Sequence, residues 1–339
     1  MRATSRRPAV VLAAAALVPL AARAARAQDG PIAAQCAGVL VPVADACQKS
    51  VDLFQYFAPQ LGALVAGGNT QLGQGGTLGG LGHFSLGARV NGMRSPVPQL
   101  QNVNVSTTGF VRSAVATENT WVGFPVADAA IGVFKGVPLG VTNVGGVDLL
   151  VNVAYVPTVE EDDFEVRTTG GSVKLGYGAR LGLLQETAFV PGVAVSFLRR
   201  ELPTTSVLAT TDDGDVIGVN DVRVRADSWR LTASKNLLLI AIAAGVGQDR
   251  YDMSAGLTAD VVTGAGGTTV PLRGPRAAQE LTRTNYFANL TLLNLPFFRL
   301  VGEIGRTQGG TLGATYNDFG GRRPDQAYTY GSVGVRVGR

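Results

Sequence analysis

The chain has 339 residues, of which 46% are apolar and 16% charged, and it contains 45 glycines. This apolar fraction excludes a disordered, highly charged tail, and the glycine content is well above the roughly 7% of an average protein. One histidine and two cysteines are too few for a zinc cluster, so we expect no metal site and no cofactor.

Residues 1–27 have the features of a secretory signal peptide. The segment holds five arginines and no acidic residue, with an apolar stretch from Ala9 to Ala22 and a small-residue cleavage point after Ala27. Without these residues, 24 basic side chains face 25 acidic ones. The net charge of +4 therefore belongs to the leader, and we expect no nucleic-acid binding.

Residues 28–78 are predicted to form an N-terminal helical segment followed by a connector. Apolar residues recur at spacings of three and four between residues 43 and 66, which is typical of one face of a helix. The glycine-rich residues 67–82 end that pattern and indicate a flexible connector. The apolar stripe includes Val51, Phe54, Leu61 and Val65.

The cysteines and the apolar stripe of this segment restrict where the helix can lie. An exported chain permits a disulfide, which we predict between Cys36 and Cys47. The apolar stripe needs a partner, so the helix is expected either to plug a lumen or to cap its periplasmic mouth. Because a ten-stranded lumen is largely filled by side chains, the periplasmic cap is the preferred prediction.

From residue 79 to residue 339 the pattern alternates with a period of two. In residues 172–183, apolar side chains such as Leu175 and Tyr177 occupy one face, while glycines with Lys174 and Arg180 occupy the other. Segments of about ten residues with one apolar face suit a lipid-facing wall, because lipid requires every backbone group to be paired internally. The sequence therefore predicts an all-β fold, an antiparallel up-and-down transmembrane β-barrel in the bacterial outer membrane.

Ten strands are predicted, with twelve to fourteen as the alternative. Long and short gaps alternate between the strands, which puts the first residue of the first strand and the last residue of the tenth strand on the periplasmic side. Residues 103–116 could supply a further strand. The predicted strands span residues 80–93, 125–136, 143–156, 170–183, 187–201, 217–233, 237–262, 280–293, 297–308 and 327–338.

Charged side chains on the strands are expected to face the lumen, since a lipid-facing Arg or Lys would cost roughly 2 to 4 kcal/mol at the midplane. Two interpretations remain open: a basic pore lining, or a closed lumen filled by an arginine and carboxylate network. The candidate lumen-lining residues are His83, Arg89, Asp128, Asp148, Lys174, Arg180, Arg230, Arg283, Arg299, Glu303 and Arg336.

Catalysis is not expected. His83 and Ser85 share a face of the first strand, but neighbours at that spacing lie about 7 Å apart and no orienting third residue is evident. Acidic runs near residues 160–163 and 212–215 lack a complete calcium-binding spacing and suit solvated outer loops.

A helix, a glycine-rich connector and alternating strands together resemble outer-membrane β-barrels and, more specifically, the FadL-type transporters of hydrophobic substrates. That resemblance implies a lumen plugged by the N-terminal segment. Asn69, Thr70 and Gln71 stand where that family has an Asn-Pro-Ala element, and the family usually has fourteen strands.

The expected function is a pore or transport-related channel for small solutes. The alternative is a sealed structural or surface-interaction barrel whose outer loops bind. Expected partners are outer-membrane lipid, lipopolysaccharide and the barrel assembly machinery; the oligomeric state stays open.

Overall fold

The computed structural model describes residues 30–338 except 102, 162–163, 238, 265–266, 296 and 311. The predicted signal peptide, residues 1–27, lies outside this range. Among the helices described, none has the length and hydropathy needed to cross a membrane.

Ten antiparallel strands form a closed ring, in which each strand pairs with the next and the tenth pairs with the first. This confirms the predicted all-β barrel and its ten strands. The strands are β1 (Phe84–Pro98), β2 (Thr117–Phe134), β3 (Gly146–Tyr155), β4 (Val173–Leu184), β5 (Gly192–Glu201), β6 (Val216–Leu237), β7 (Ile240–Thr263), β8 (Arg276–Asn294), β9 (Phe298–Thr307) and β10 (Tyr328–Gly338).

Residues 103–116, the candidate further strand, do not join the ring. They contribute an isolated bridge between Ala114 and Asp318 within a long connection. Long connections at one end alternate with short ones at the other, and barrels of this kind place the long ones outside the cell. The long connections are 99–116, 156–172, 202–215, 264–275 and 308–327.

Within the described residues, six shorter strands extend the two ends of the barrel. Val137–Leu139 pairs with Thr142–Val144 in the first periplasmic connection. On the outer side, Thr205–Thr210 pairs with the top of β6, Phe164–Thr168 pairs with Thr205–Thr210, and Val159–Glu161 pairs with Phe164–Thr168. Thr268–Leu272 pairs with the top of β7.

The lower part of the wall is apolar outside and small or polar inside. On β7, Ile240 and Ile242 are exposed, whereas Ala241 and Ala243 are buried against the lumen. The same outward pattern recurs on β10 with Val333. This belt is the lipid-facing surface that the alternation predicts.

Above the belt the two faces exchange character. The 24 residues of β7 reach about 79 Å, whereas roughly 9 to 11 residues suffice to cross a bilayer. In the upper half of β7, Met253, Leu257 and Val261 are buried inside, while Asp252 and Asp260 point outward. The outer half of the molecule therefore has an apolar interior and a polar exterior, as a soluble β-protein does.

This apolar interior holds the single long helix described, α1 (Val41–Ala66), which follows a short 3₁₀ turn, Ala34–Cys36. Residues on nearly every side of α1 are buried, which requires surrounding walls. The Cys36–Cys47 disulfide predicted from the sequence is present, with both cysteines fully buried and their Cα atoms 5.7 Å apart.

The preferred prediction of a periplasmic cap is wrong, because α1 occupies the outer half of the lumen. A ring of ten strands accepts the helix since its inner face is lined there by small residues such as Ala226, Ala255 and Ala277. Gly62 allows a close approach between the helix and the wall: a Cβ at this position would lie 2.5 Å from the ring of Tyr251. Threading of the helix therefore needs no additional strands.

Candidate functional site: the plugged lumen

The end of α1 meets three arginines near the middle of the lumen. Arg200 on β5 donates to the carbonyls of Ala66 at 2.5 Å and Gly68 at 2.7 Å. Arg89 on β1 donates to the carbonyl of Gly67 at 3.2 Å. We call these two residues, together with Arg230 on β6, the arginine clamp.

The third arginine, Arg230 on β6, donates to the carbonyl of Ala66 and to Oδ1 of Asn69. The last carbonyls of a helix have no intrahelical partner and carry the negative end of the helix dipole, so cations stabilise them. The arginine clamp therefore fixes the inner end of the plug through charge-assisted hydrogen bonds.

From Gly67 the connector descends the lower lumen toward the periplasm, and wall side chains bind its backbone. The N–H of Gly75 donates to Oγ of Ser234 at 2.8 Å, and that of Leu78 donates to the carboxylate of Asp148 at 3.1 Å. A Cβ on Gly75 would lie 2.5 Å from the backbone nitrogen of Ser234. Glycine is required there because the connector and the wall are in contact.

Outer loops close over the other end of α1. Asp45 accepts hydrogen bonds from the N–H groups of Ser106 at 2.8 Å and Val111 at 2.9 Å, and it pairs with buried Lys49. Two turns later, Asp52 accepts from the N–H of Asn317 at 2.8 Å. The first and last outer loops are thus attached to the plug.

Burial controls the ionisation of groups at this end. It raises the pKa of Asp52, while hydrogen bonds from Asn317, Gln48 and Tyr316 oppose the rise. It also raises the pKa of Tyr56 to about 12, so this ring stays neutral and stacks on Phe319 with centroids 4.4 Å apart.

Most of the residues expected to line the lumen are buried inside the barrel. Arg89 bonds Asp128 at 2.6 Å, and Arg180 bonds Asp148 at 2.6 Å. Arg230 lies 3.8 Å from Glu303. The buried members are Arg89, Asp128, Asp148, Arg180, Arg230, Arg283, Glu303 and Arg336.

Three expected lumen residues lie at the rims. The side chain of Lys174, at the outer end of β4, is 43% exposed and pairs with Glu201 at 3.4 Å. His83 is exposed at the periplasmic end, with Nδ1 3.3 Å from the carbonyl oxygen of Gly80. Arg299 is half-buried at the periplasmic end of β9.

The predicted helix stripe packs inside the barrel. Val51, Phe54 and Val65 are buried, and Leu61 is half-buried against the same apolar cluster.

Arg200 is the main residue that the sequence analysis missed. It lies on the same strand face as Ala194, Ser196 and Leu198, and the alternation along the strand predicts that this face points into the lumen. The neighbouring Arg199 points outward and pairs with Asp227 at 2.6 Å. The alternation therefore contained the signal, but nothing in the sequence indicated that a helix end would meet this guanidinium.

Little space remains beside the plug at mid-lumen. A cavity of about 20 Å³ lies between the connector and the arginines Arg180, Arg200 and Arg230. Since a water molecule needs about 10 to 15 Å³ by this measure, the cavity has room for one or two waters and for nothing larger.

Comparison with known proteins assigns no family to this chain. No protein-family model matches the sequence, and no curated protein is similar to it. Among solved structures, the chain is similar to Ail, the attachment invasion locus protein of Yersinia pestis, with 7% identity and a TM-score of 0.27 over 76% of this chain and 99% of Ail.

Two further solved structures are similar in the same way. The toluene transporter TbuX of Ralstonia pickettii has 11% identity and a TM-score of 0.30, over 78% of this chain and 92% of TbuX. An anion-selective porin from Comamonas acidovorans has 12% identity and a TM-score of 0.18, over 76% of this chain and 98% of the porin. These neighbours are outer-membrane β-barrels, FadL-type transporters among them. At such scores the likeness carries no argument about this chain.

Proposed function

We propose that this protein is a sealed outer-membrane β-barrel that holds a rigid extracellular platform for interactions at the cell surface, without an open pore or a catalytic site. The platform consists of the upper parts of β6, β7 and β8, residues 216–227, 250–263 and 276–282, with the short strands that pair with them. The observation that carries the proposal is the arginine clamp on the buried end of α1.

Sealing is supported at three levels of the lumen. The disulfide and the outer loops hold the upper end of α1, the arginine clamp holds its lower end, and wall side chains bind the connector below it. Opening a continuous path would break buried, charge-assisted hydrogen bonds, each worth about 1.5 to 3 kcal/mol.

The role as a platform is supported by the construction of the outer half. Its apolar core includes α1, so the projecting strands are rigid without lipid around them. Its exterior carries ion pairs between neighbouring strands, such as Arg225 with Asp252 at 2.5 Å and Arg250 with Glu280 at 2.7 Å. A polar, inflexible surface well above the bilayer suits recognition at low entropic cost.

Planar-bilayer conductance tests the sealed lumen. We expect no channel events from the purified wild-type protein and discrete events from a variant that lacks residues 30–78. The deletion serves as the positive control, with folding checked by heat-dependent electrophoretic mobility. Channel events in the wild type at low voltage would refute the sealed barrel.

A gated channel for small polar solutes is the second candidate, because the connector has little regular structure and lines a polar lower lumen. The pair Thr77→Cys and Gln185→Cys would tether the connector to the periplasmic end of β4, where the side-chain oxygens of the two residues are 2.8 Å apart. Conductance that appears in the wild type and disappears on oxidation of this pair would establish gating.

A further inference from the structure

A second cavity, of about 130 Å³, lies at the periplasmic end of the lumen. Arg336 on β10 and Arg299 on β9 line it together with Ser85 on β1 and Gln74 of the connector. The two arginines are direct cross-strand partners. The cavity is therefore built by three adjacent strands and closed from above by the plug's own chain.

Arg336 is the unusual group in this cavity. It is 6% exposed, and its Nη1 atom is buried without a hydrogen-bond partner. The charges that act on it most strongly are those of Arg299 and Arg180, which are also positive. An isolated buried cation is costly, so a site of this kind is stabilised by an anion.

The other buried lumen arginines also leave at least one nitrogen without a partner, but each of them is bound by a carboxylate or by backbone carbonyls. Arg180 is bound by Asp148, and Arg283 donates to the carbonyls of Gln308 and Gln326 at 2.8 and 3.1 Å. In the described chain, Arg336 has neither a carboxylate nor a carbonyl in such contact.

Two further groups complete the chemistry of the cavity. The hydroxyl of Ser85 is buried without a partner. Glu186 acts electrostatically on Arg299, but its oxygens already accept hydrogen bonds from Ser234 at 3.0 Å and from the N–H of Asn236. The balance inside the cavity is therefore positive, with hydroxyl and guanidinium donors free to bind.

We propose that this periplasmic cavity binds a phosphate group, held by Arg336 and Arg299 with the hydroxyl of Ser85 as an additional donor. Guanidinium groups match the oxygens of a phosphate in pairs, and facing arginines with a hydroxyl offer more donors than a single carboxylate uses. The phosphate could belong to a soluble ion or to a phospholipid headgroup, because exposed Phe84 and Phe297 put the cavity at the level of the inner leaflet.

Titration calorimetry with inorganic phosphate, on the full chain in a phosphate-free detergent, tests the site. We expect saturable binding that weakens with salt and falls at least tenfold in Arg336→Gln and in Arg299→Gln. Arg306→Gln is the matched control, since Arg306 is exposed on the same strand as Arg299 and its loss changes the net charge equally. Heat-dependent mobility verifies that each variant is folded.

Native mass spectrometry with phosphatidylglycerol separates the two sources. If inorganic phosphate binds to the wild type in calorimetry and this binding is lost in Arg336→Gln and Arg299→Gln, the ligand is a soluble phosphate. A phosphatidylglycerol adduct that Arg336→Gln loses and Arg306→Gln keeps, without binding of inorganic phosphate, identifies the headgroup. Absence of both, or equal binding by all variants, refutes the site.

Discussion

Arg200→Met is expected to loosen the plug without opening the barrel wall. The substitution keeps a long side chain but removes the guanidinium that donates to the carbonyls of Ala66 and Gly68. Hydrogen bonds to charged groups contribute about 1.5 to 3 kcal/mol each, so removing two of them lowers the free energy that holds the plug in place by about 3 to 6 kcal/mol.

Part of this loss is recovered. Arg200 is close enough to Arg89 and Arg230 to be repelled by both, and its removal relieves that repulsion. Arg89 and Asn91 also keep the carbonyl of Gly67 bonded. We therefore expect a net effect near 3 kcal/mol, which corresponds to roughly a hundredfold change in the equilibrium for local release of the plug.

Hydrogen exchange followed by mass spectrometry measures this equilibrium. Protection of the amides from Ala63 to Thr70 should fall by about two orders of magnitude in Arg200→Met, while the barrel strands stay protected. Arg199→Met is the matched control, because this adjacent arginine points outward and its exposed ion pair contributes little. Equal protection in the wild type and both variants would show that the clamp does not hold the plug.

Three further perturbations test the docking of the helix. Gly62→Ala should lower the melting temperature because its Cβ would contact the ring of Tyr251, and Tyr251→Leu in the same chain should restore part of the loss; no change in the single variant would contradict the close approach. Replacing Cys36 and Cys47 by alanine should destabilise the upper plug by about 3 kcal/mol, seen as faster exchange there, since the bridge closes a loop of eleven positions. Asp45→Asn should release the first outer loop to added protease, because an NH2 donor replaces one of the two oxygens that accept from backbone N–H groups, and the buried Lys49 loses its carboxylate partner. Unchanged cleavage would mean that the loop is held elsewhere.

The sequence by itself determined the wall of this protein. Alternation with a period of two is a local property of a strand, so the faces on which Leu175 and Arg180 lie can be predicted from their immediate neighbours alone. The alternation of long and short connections favoured ten strands over twelve to fourteen, and the isolated pair of cysteines predicted the disulfide.

The exchange of faces along β7 was also present in the sequence, since Ile242 is apolar on one face and Met253 on the other. From the sequence alone, the length of this strand leaves two interpretations: projection above the membrane, or an interruption near Asp249 and Arg250. In the structure the strand is unbroken, and its outward face changes from the apolar side chains of the lipid-facing belt to the polar side chains of the part above it.

Only the tertiary structure decided the position of the helix. An apolar stripe such as that of Phe54 and Val65 requires a partner but does not specify which one. The choice depends on the volume inside a closed ring, which small residues on several strands create together. The clamp depends on the same closure, because Arg89, Arg200 and Arg230 lie on separate strands and meet the end of α1 only once the barrel surrounds it.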